Sequence, residues 1–236
     1  MFLGHIGMAL AAKRAAPRAS LGTLLVAATL LDGLWALLCP IGFDRSGIAP
    51  VLMTAVRPDF GTDSFSHSLL LAGVLALLFG LGYLAFRRSA RGALVVAALV
   101  LSHVLLDAPG AYTSVTLWPG TAPWPLRGEL PLLLLLESAL FLAGLGLYLR
   151  STRARDVIGS WGLGTTLVAL LALFAAAIFP PQPLEVQALA LAALGTFLFA
   201  PLGFWIDRHR APAAPAGPEL MASRLGSRGL ALGMFL

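Results

Sequence analysis

The run Ser102-His103-Val104-Leu105-Leu106-Asp107 closes an apolar stretch that begins at Gly92. His103 and Asp107 are four residues apart, so a helix carries both on one face. A histidine and a carboxylate at that spacing can jointly hold one metal ion. The plainer alternative is a histidine bonded to its own helix neighbour, and buried pairs of that kind are also structural. An ionisable pair in a hydrophobic span is costly, however, and asks for a functional reason.

The elements that position such a pair follow from composition. The chain is 58% hydrophobic and 11% charged, with a mean hydropathy of +0.88, whereas soluble domains are roughly 25% charged. An all-α integral membrane protein is expected, a bundle of about six transmembrane helices. The runs 21–39, 65–86, 92–108, 129–149, 161–179 and 186–206 are the spans. Each approaches the ~20 residues a bilayer needs, and lipid leaves unpaired backbone groups no partner but their own helix. A transmembrane domain over 1–210 is expected, followed by a disordered tail over 211–236 that opens on a Pro/Ala/Gly linker. Cys39 is the only cysteine, which excludes an intrachain disulfide and any Cys-based metal motif. The apolar start 1–12 has its basic residues after it, the reverse of a cleavable signal.

Thirteen of the sixteen basic residues fall on one side of these spans, leaving Arg45, Arg57 and Arg127 on the other. The positive-inside rule puts the thirteen, and both termini, in the cytoplasm. The net charge of +5 is then an orientation signal rather than a nucleic-acid footprint. Trp118 and Trp124, in the outer connection 109–128, suit a membrane interface.

With that orientation, depth can be counted from each span's outer end. Asp107 lies at roughly 2 Å, His67 at about 3 Å, His103 at about 8 Å, Asp32 at about 10 Å and Glu137 at about 12 Å. Four helices contribute, and all five residues fall in the outer half of the membrane. One outward-opening polar site explains the agreement, because polar groups in a span face one another or a wet cavity. His5 has two placements. If 1–12 is a re-entrant half-helix, His5 lies beneath Asp32; if 1–12 is an interfacial helix, His5 is solvated. Periodicity alone favours the interfacial helix. Glu137 has three roles open to it: ligand, general base, or a carboxyl kept neutral by burial. Asp44, Asp59 and Asp63 are outer-loop carboxylates, of a kind usually solvated, with Asp63 close enough to join a site.

His5, Leu30-Leu31-Asp32, Phe65-Ser66-His67-Ser68-Leu69-Leu70 and the Ser102–Asp107 run together resemble the YdjM-like family of bacterial inner-membrane proteins, described as membrane-bound metal-dependent hydrolases. The resemblance covers about 1–120. Two features of the family pattern are absent: a second acid after Asp32, where Gly33 and Leu34 stand, and a His-Arg-Gly before the Thr-His-Ser, where Thr62-Asp63-Ser64 stands. The resemblance thus implies one divalent ion, with zinc expected, held by His67, His103 and Asp107 with Asp32 or His5. It also implies the bacterial inner membrane.

Such an ion lowers the pKa of water toward ~7, and Asp32 or Glu137 is placed to accept the proton. Manganese and iron suit the same ligands. A site in the outer leaflet points to a lipid or lipid-linked phosphoester as substrate, with Arg57 and Arg127 as candidate phosphate contacts. Two other classes compete. A transporter also uses intramembrane Asp, Glu and His, but 161–179 and 186–206 carry none, and no internal repeat is seen. A scaffold membrane protein would use the polar cluster only to pin helices. The bilayer is the one partner expected, and no nucleic acid; oligomeric state is not legible.

Overall fold

The computed structural model of the chain describes residues 2–44, 47–49, 57–59, 64–109, 115–122, 130–178 and 186–213. It is a helical bundle. In chain order the helices are α1 (Phe2–Ala15), α2 (Leu21–Leu38), α3 (Leu69–Arg87), α4 (Ala90–Asp107), α5 (Leu130–Ser151), α6 (Val157–Ile178), α7 (Val186–Thr196) and α8 (Phe199–Arg208). Two short antiparallel ladders join them: β1 (Gly47–Ala49) with β2 (Arg57–Asp59), and β3 (Thr152–Ala154) with β4 (Arg210–Pro212). Among the described residues, α2 to α6 are long and apolar enough to cross a membrane.

Helix α1 is the interior element. Leu3, Ile6, Ala9 and Leu10 are all buried, and so are His5 and Lys13. A helix apolar nearly all round belongs in a core, and α1 lies along α5 while also touching α2 and α4. The interfacial placement of 1–12 is therefore overturned. Two glycines permit the close approach: a Cβ on Gly7 would lie 2.5 Å from the carbonyl oxygen of Leu140, and one on Gly144 would overlap the carbonyl of Gly7. Small residues bring helix backbones together where lipid supplies no hydrophobic drive. At fourteen residues α1 is about 21 Å long, against the ~30 Å of a hydrocarbon core.

Helices α3 and α4 form a hairpin. Arg88 turns the chain in the left-handed region, and the Ser89 side chain accepts the amide of Gly92 at 3.2 Å to start α4. Ala72, Ala76 and Gly80 form the buried stripe of α3. The expected second span is shortened at its start, because α3 begins at Leu69 and leaves His67 in the preceding turn. The first amides of α3 are met from outside: Leu69 donates to the carbonyl of Thr116 and Leu70 to that of Leu117, at 2.9 and 3.1 Å.

The expected sixth span, 186–206, is not continuous. Phe197, Leu198 and Ala200 close tight turns onto Leu194, Gly195 and Phe197, and α8 restarts at Phe199. Pro201 explains the break: it has no N–H to continue the ladder and is tolerated only in a first helical turn.

The far end is held by charge. Lys13 Nζ lies 3.0 and 2.9 Å from the two carboxylate oxygens of Asp207 and 2.8 Å from the carbonyl of Ala19. Asp207 also accepts the amide of Leu21, at the start of α2. Arg210 is buried and donates to Thr152 and to the carbonyl of Gly159. Lys13, through its ion pair, and Arg210, through its hydrogen bonds, are thus structural as well as flanking charges. Asp156, exposed in the α5–α6 link, is held below the ordinary carboxylate range by its 2.7 Å hydrogen bond with His209 and by the amide of Gly159. Ala211 and Pro212, the first residues of the expected tail, pair with β3; residues 214–236 lie outside the described residues.

Candidate metal centre

Helix α4 supplies two of the groups. Its buried residues include Val96, Leu99, Val100, His103, Val104 and Asp107, one stripe at three- and four-residue spacing. The packing that buries Val100 and Val104 therefore also turns His103 and Asp107 inward. Asp32 comes from α2, six residues before its end. His5 comes from α1, held by the contact of Gly7 with α5, and His67 from the turn before α3. Helix α1, buried in the bundle, thus delivers its histidine.

All five side chains meet. His103 Nε2 is 3.4 Å from Asp32 Oδ1 and 3.3 Å from Asp107 Oδ2. His67 Nε2 is 3.6 Å from Asp32 Oδ1 and 3.9 Å from Asp107 Oδ2. His5 Nε2 is 3.3 Å from the other oxygen of Asp107, and its ring stacks on His103 with centroids 3.8 Å apart. Two overlapping triads result, His5–His103–Asp107 and Asp32–His67–His103, each with ligand atoms mutually within 4.8 Å. The side chain of Asp32 is 24% exposed while that of Asp107 is 3% exposed, so Asp32 is the less enclosed of the two carboxylates.

The histidine tautomers carry the chemical information. His103 Nδ1 lies 2.7 Å from the carbonyl oxygen of Ala28. A carbonyl only accepts, so Nδ1 carries a proton and donates it. In a neutral imidazole Nε2 is then a lone pair, and here it faces two carboxylate oxygens. Neither Nε2 of His103 nor Nε2 of His5 makes a hydrogen bond of acceptable geometry among the described residues, although both lie within 3.4 Å of carboxylate oxygen. Lone pairs of both kinds converging in a buried space require a cation or a proton between them.

A divalent ion fits that donor set. Ligands of a four-coordinate zinc-like ion at ~2.0–2.2 Å stand about 3.3–3.6 Å apart, and three of the four Nε2–oxygen separations around His67 and His103 fall at 3.3–3.6 Å, the fourth being 3.9 Å. Metal-bound histidines ordinarily donate their other N–H to a carbonyl or similar acceptor. His103 does so to Ala28, and His67 Nδ1 is 2.9 Å from the Ser66 hydroxyl.

Glu137 is placed elsewhere. It is buried, and its Oε2 accepts the amide of Leu3 at 3.1 Å, meeting a first-turn N–H that α1 cannot satisfy internally. Asp44, expected to be solvated, is buried and takes the amides of Phe65 and Ser66. Its role, and that of the Ala28 carbonyl, had no signal in residue type; the serine-rich run around His67 was the only hint of a hydrogen-bonded turn. Asp63, Trp124 and Arg127 lie outside the described residues, and of Arg57 and Asp59 only the backbone is described.

No family model matches this chain, and neither does any curated protein or solved structure at a significant level.

Proposed function

We propose that the protein is a membrane-bound metal-dependent hydrolase whose substrate is a lipid or lipid-linked phosphoester. The single observation that carries this is the Nε2 atom of His103, a lone pair in the neutral ring that Ala28 orients, aimed between Asp32 and Asp107. His67, His103 and Asp107 would hold the ion, with His5 on the second oxygen of Asp107, which would leave a position for water beside Asp32. A divalent ion there supplies Lewis acidity, polarising a phosphoryl oxygen and making water acidic enough to attack near neutral pH. The chain's own groups do the rest. Asp107 and the histidines are buried and exclude bulk water. Asp32 is the carboxylate open to the substrate side, so it is the better placed of the two candidate bases; Glu137 is occupied at the start of α1.

Topology supports the orientation. The connections α1–α2, α3–α4 and α5–α6 and the end of α8 carry the arginines, and the centre lies toward the opposite ends of α2, α3 and α4. Under the positive-inside rule the arginine end is cytoplasmic, in the bacterial inner membrane that the family resemblance implies, and the centre opens toward the outer leaflet. A lipid then reaches Asp32 without leaving the bilayer.

The same geometry favours a second reading, in which a proton rather than a metal sits at His103 Nε2 and the cluster serves only to pin α1, α2 and α4. Metal analysis separates the two. Protein purified in detergent without chelator should carry about one zinc, manganese or iron per chain. It should also release phosphate-containing product from phospholipid or polyprenyl-phosphate vesicles. The His103→Ala variant should insert in the membrane but lose both properties. Wild-type protein devoid of metal, and unable to take up zinc, would leave the pinning role in place of the enzyme.

A further inference from the structure

His67 is the one candidate ligand not carried on a helix, so helix geometry cannot aim it. Its aim comes from the turn before α3. Asp44, in the turn after α2, reaches that turn with both carboxylate oxygens: Oδ1 accepts the amide of Phe65 at 3.2 Å and Oδ2 the amide of Ser66 at 2.7 Å. Asp44 is only 1% exposed, although it lies outside a helix. A buried carboxylate needs strong compensation, and two charge-assisted bonds to successive amides are of that kind. The Ser66 so held has its hydroxyl 2.9 Å from His67 Nδ1, while Ser64 Oγ lies 3.4 Å from the amide of His67 and Ser68 Oγ donates to the carbonyl of Phe65 at 2.9 Å. Ser66 itself is fully buried. On the other side, Leu69 and Leu70 are tied to Thr116 and Leu117. The turn is therefore clamped at both ends, and its one imidazole has Nδ1 engaged and Nε2 toward Asp32 and Asp107.

We propose that Asp44 and Ser66 are positioning residues for the metal centre. Asp44 holds the turn, and the Ser66 hydroxyl accepts a hydrogen bond from Nδ1–H, so that Nε2 of His67 is both unprotonated and correctly aimed. Neither touches the ion. This rests on the metal-centre reading above, and it assigns to a loop carboxylate and a serine the task that Ala28 performs for His103.

The test uses Co²⁺ as probe on the full chain in detergent, with affinity from calorimetric titration and geometry from visible absorption. Ser66→Ala should weaken Co²⁺ binding about 10- to 100-fold and alter the absorption bands, with an unchanged melting temperature. Ser66→Thr keeps a hydroxyl and should restore both. Asp44→Ala should weaken binding in the same way, with Asp44→Asn intermediate because one acceptor oxygen remains. If Asp44→Ala does not fold, the Ser66 pair alone decides. A Ser66→Ala protein with wild-type affinity and spectrum would overturn the proposal while leaving the metal centre standing. Wild-type and His103→Ala proteins that both fail to bind Co²⁺ would instead overturn the metal centre, and the positioning role with it.

Discussion

Gly7 of α1 and Gly144 of α5 meet backbone to backbone, so closely that a Cβ on Gly144 would overlap the carbonyl of Gly7. His5 is two residues from this contact and shares Asp107 with His103. The seating of α1 on α5 therefore sets the position of a candidate ligand. Gly144→Val should push α1 away, at a cost of about 1–3 kcal/mol or more as an overpacked contact. It should lower the melting temperature in detergent and weaken zinc binding together. Gly146 has open space at its Cβ position, and Gly146→Ala should change neither.

At the other end, Lys13 and Asp207 form a largely buried pair, with side chains 8% and 16% exposed. Removing one partner leaves the other charge uncompensated, which costs about 3 kcal/mol. Asp207→Ala should therefore melt well below wild type, and the Lys13→Met/Asp207→Leu double variant should recover part of the loss. Since α1 begins at the centre and ends at this pair, a double variant that melts like Asp207→Ala would show that the amide of Leu21, not Lys13, is what Asp207 chiefly serves.

The membrane bundle was legible because hydropathy and the length of apolar runs respond to the bilayer directly. Asp32, His67, His103 and Asp107 were legible for the same reason: an ionisable group is conspicuous where lipid excludes it. They lie at similar depths in their spans, and the structure brings the histidine Nε2 atoms to 3.3–3.6 Å from carboxylate oxygens. What was not legible depends on tertiary contact. The periodicity of 1–12 could not say that Gly7 would seat α1 inside the bundle. Hydropathy passes over Pro201, which breaks the last apolar run by removing one donor and changes its mean hydropathy little. Asp44 resembles any loop carboxylate until the amides of Phe65 and Ser66 are seen to converge on it.

Metal uptake should depend steeply on acidity. Histidine and carboxylate donors bind an ion only when unprotonated, so binding releases protons and affinity must fall as pH falls. Each proton released weakens binding about tenfold per pH unit. Zinc affinity measured at pH 7.5, 6.5 and 5.5 should decline at each step, with complete release in acid and recovery on return to neutral pH. An affinity flat across that range would remove the histidines from the ligand set.

Glu137 offers the sharpest separation between chemistry and architecture. Its position inside an apolar run is compatible with a general base, yet its Oε2 accepts the amide of Leu3 at 3.1 Å and it is almost completely buried. The first amides of a helix have no partner within it, and leaving a buried donor unsatisfied costs about 1–3 kcal/mol. Glu137→Ala should therefore destabilise the protein by about that amount, and by loosening the start of α1 it should weaken the hold on His5. Glu137→Gln keeps an acceptor oxygen but cannot take a proton. If Glu137 serves α1, the Gln variant retains most of the stability and the turnover, and Asp32→Asn is the variant that loses turnover. If Glu137 is the base, the Gln variant melts normally and is inactive. Melting temperature and hydrolysis rate, measured on the same three variants, decide between the two roles.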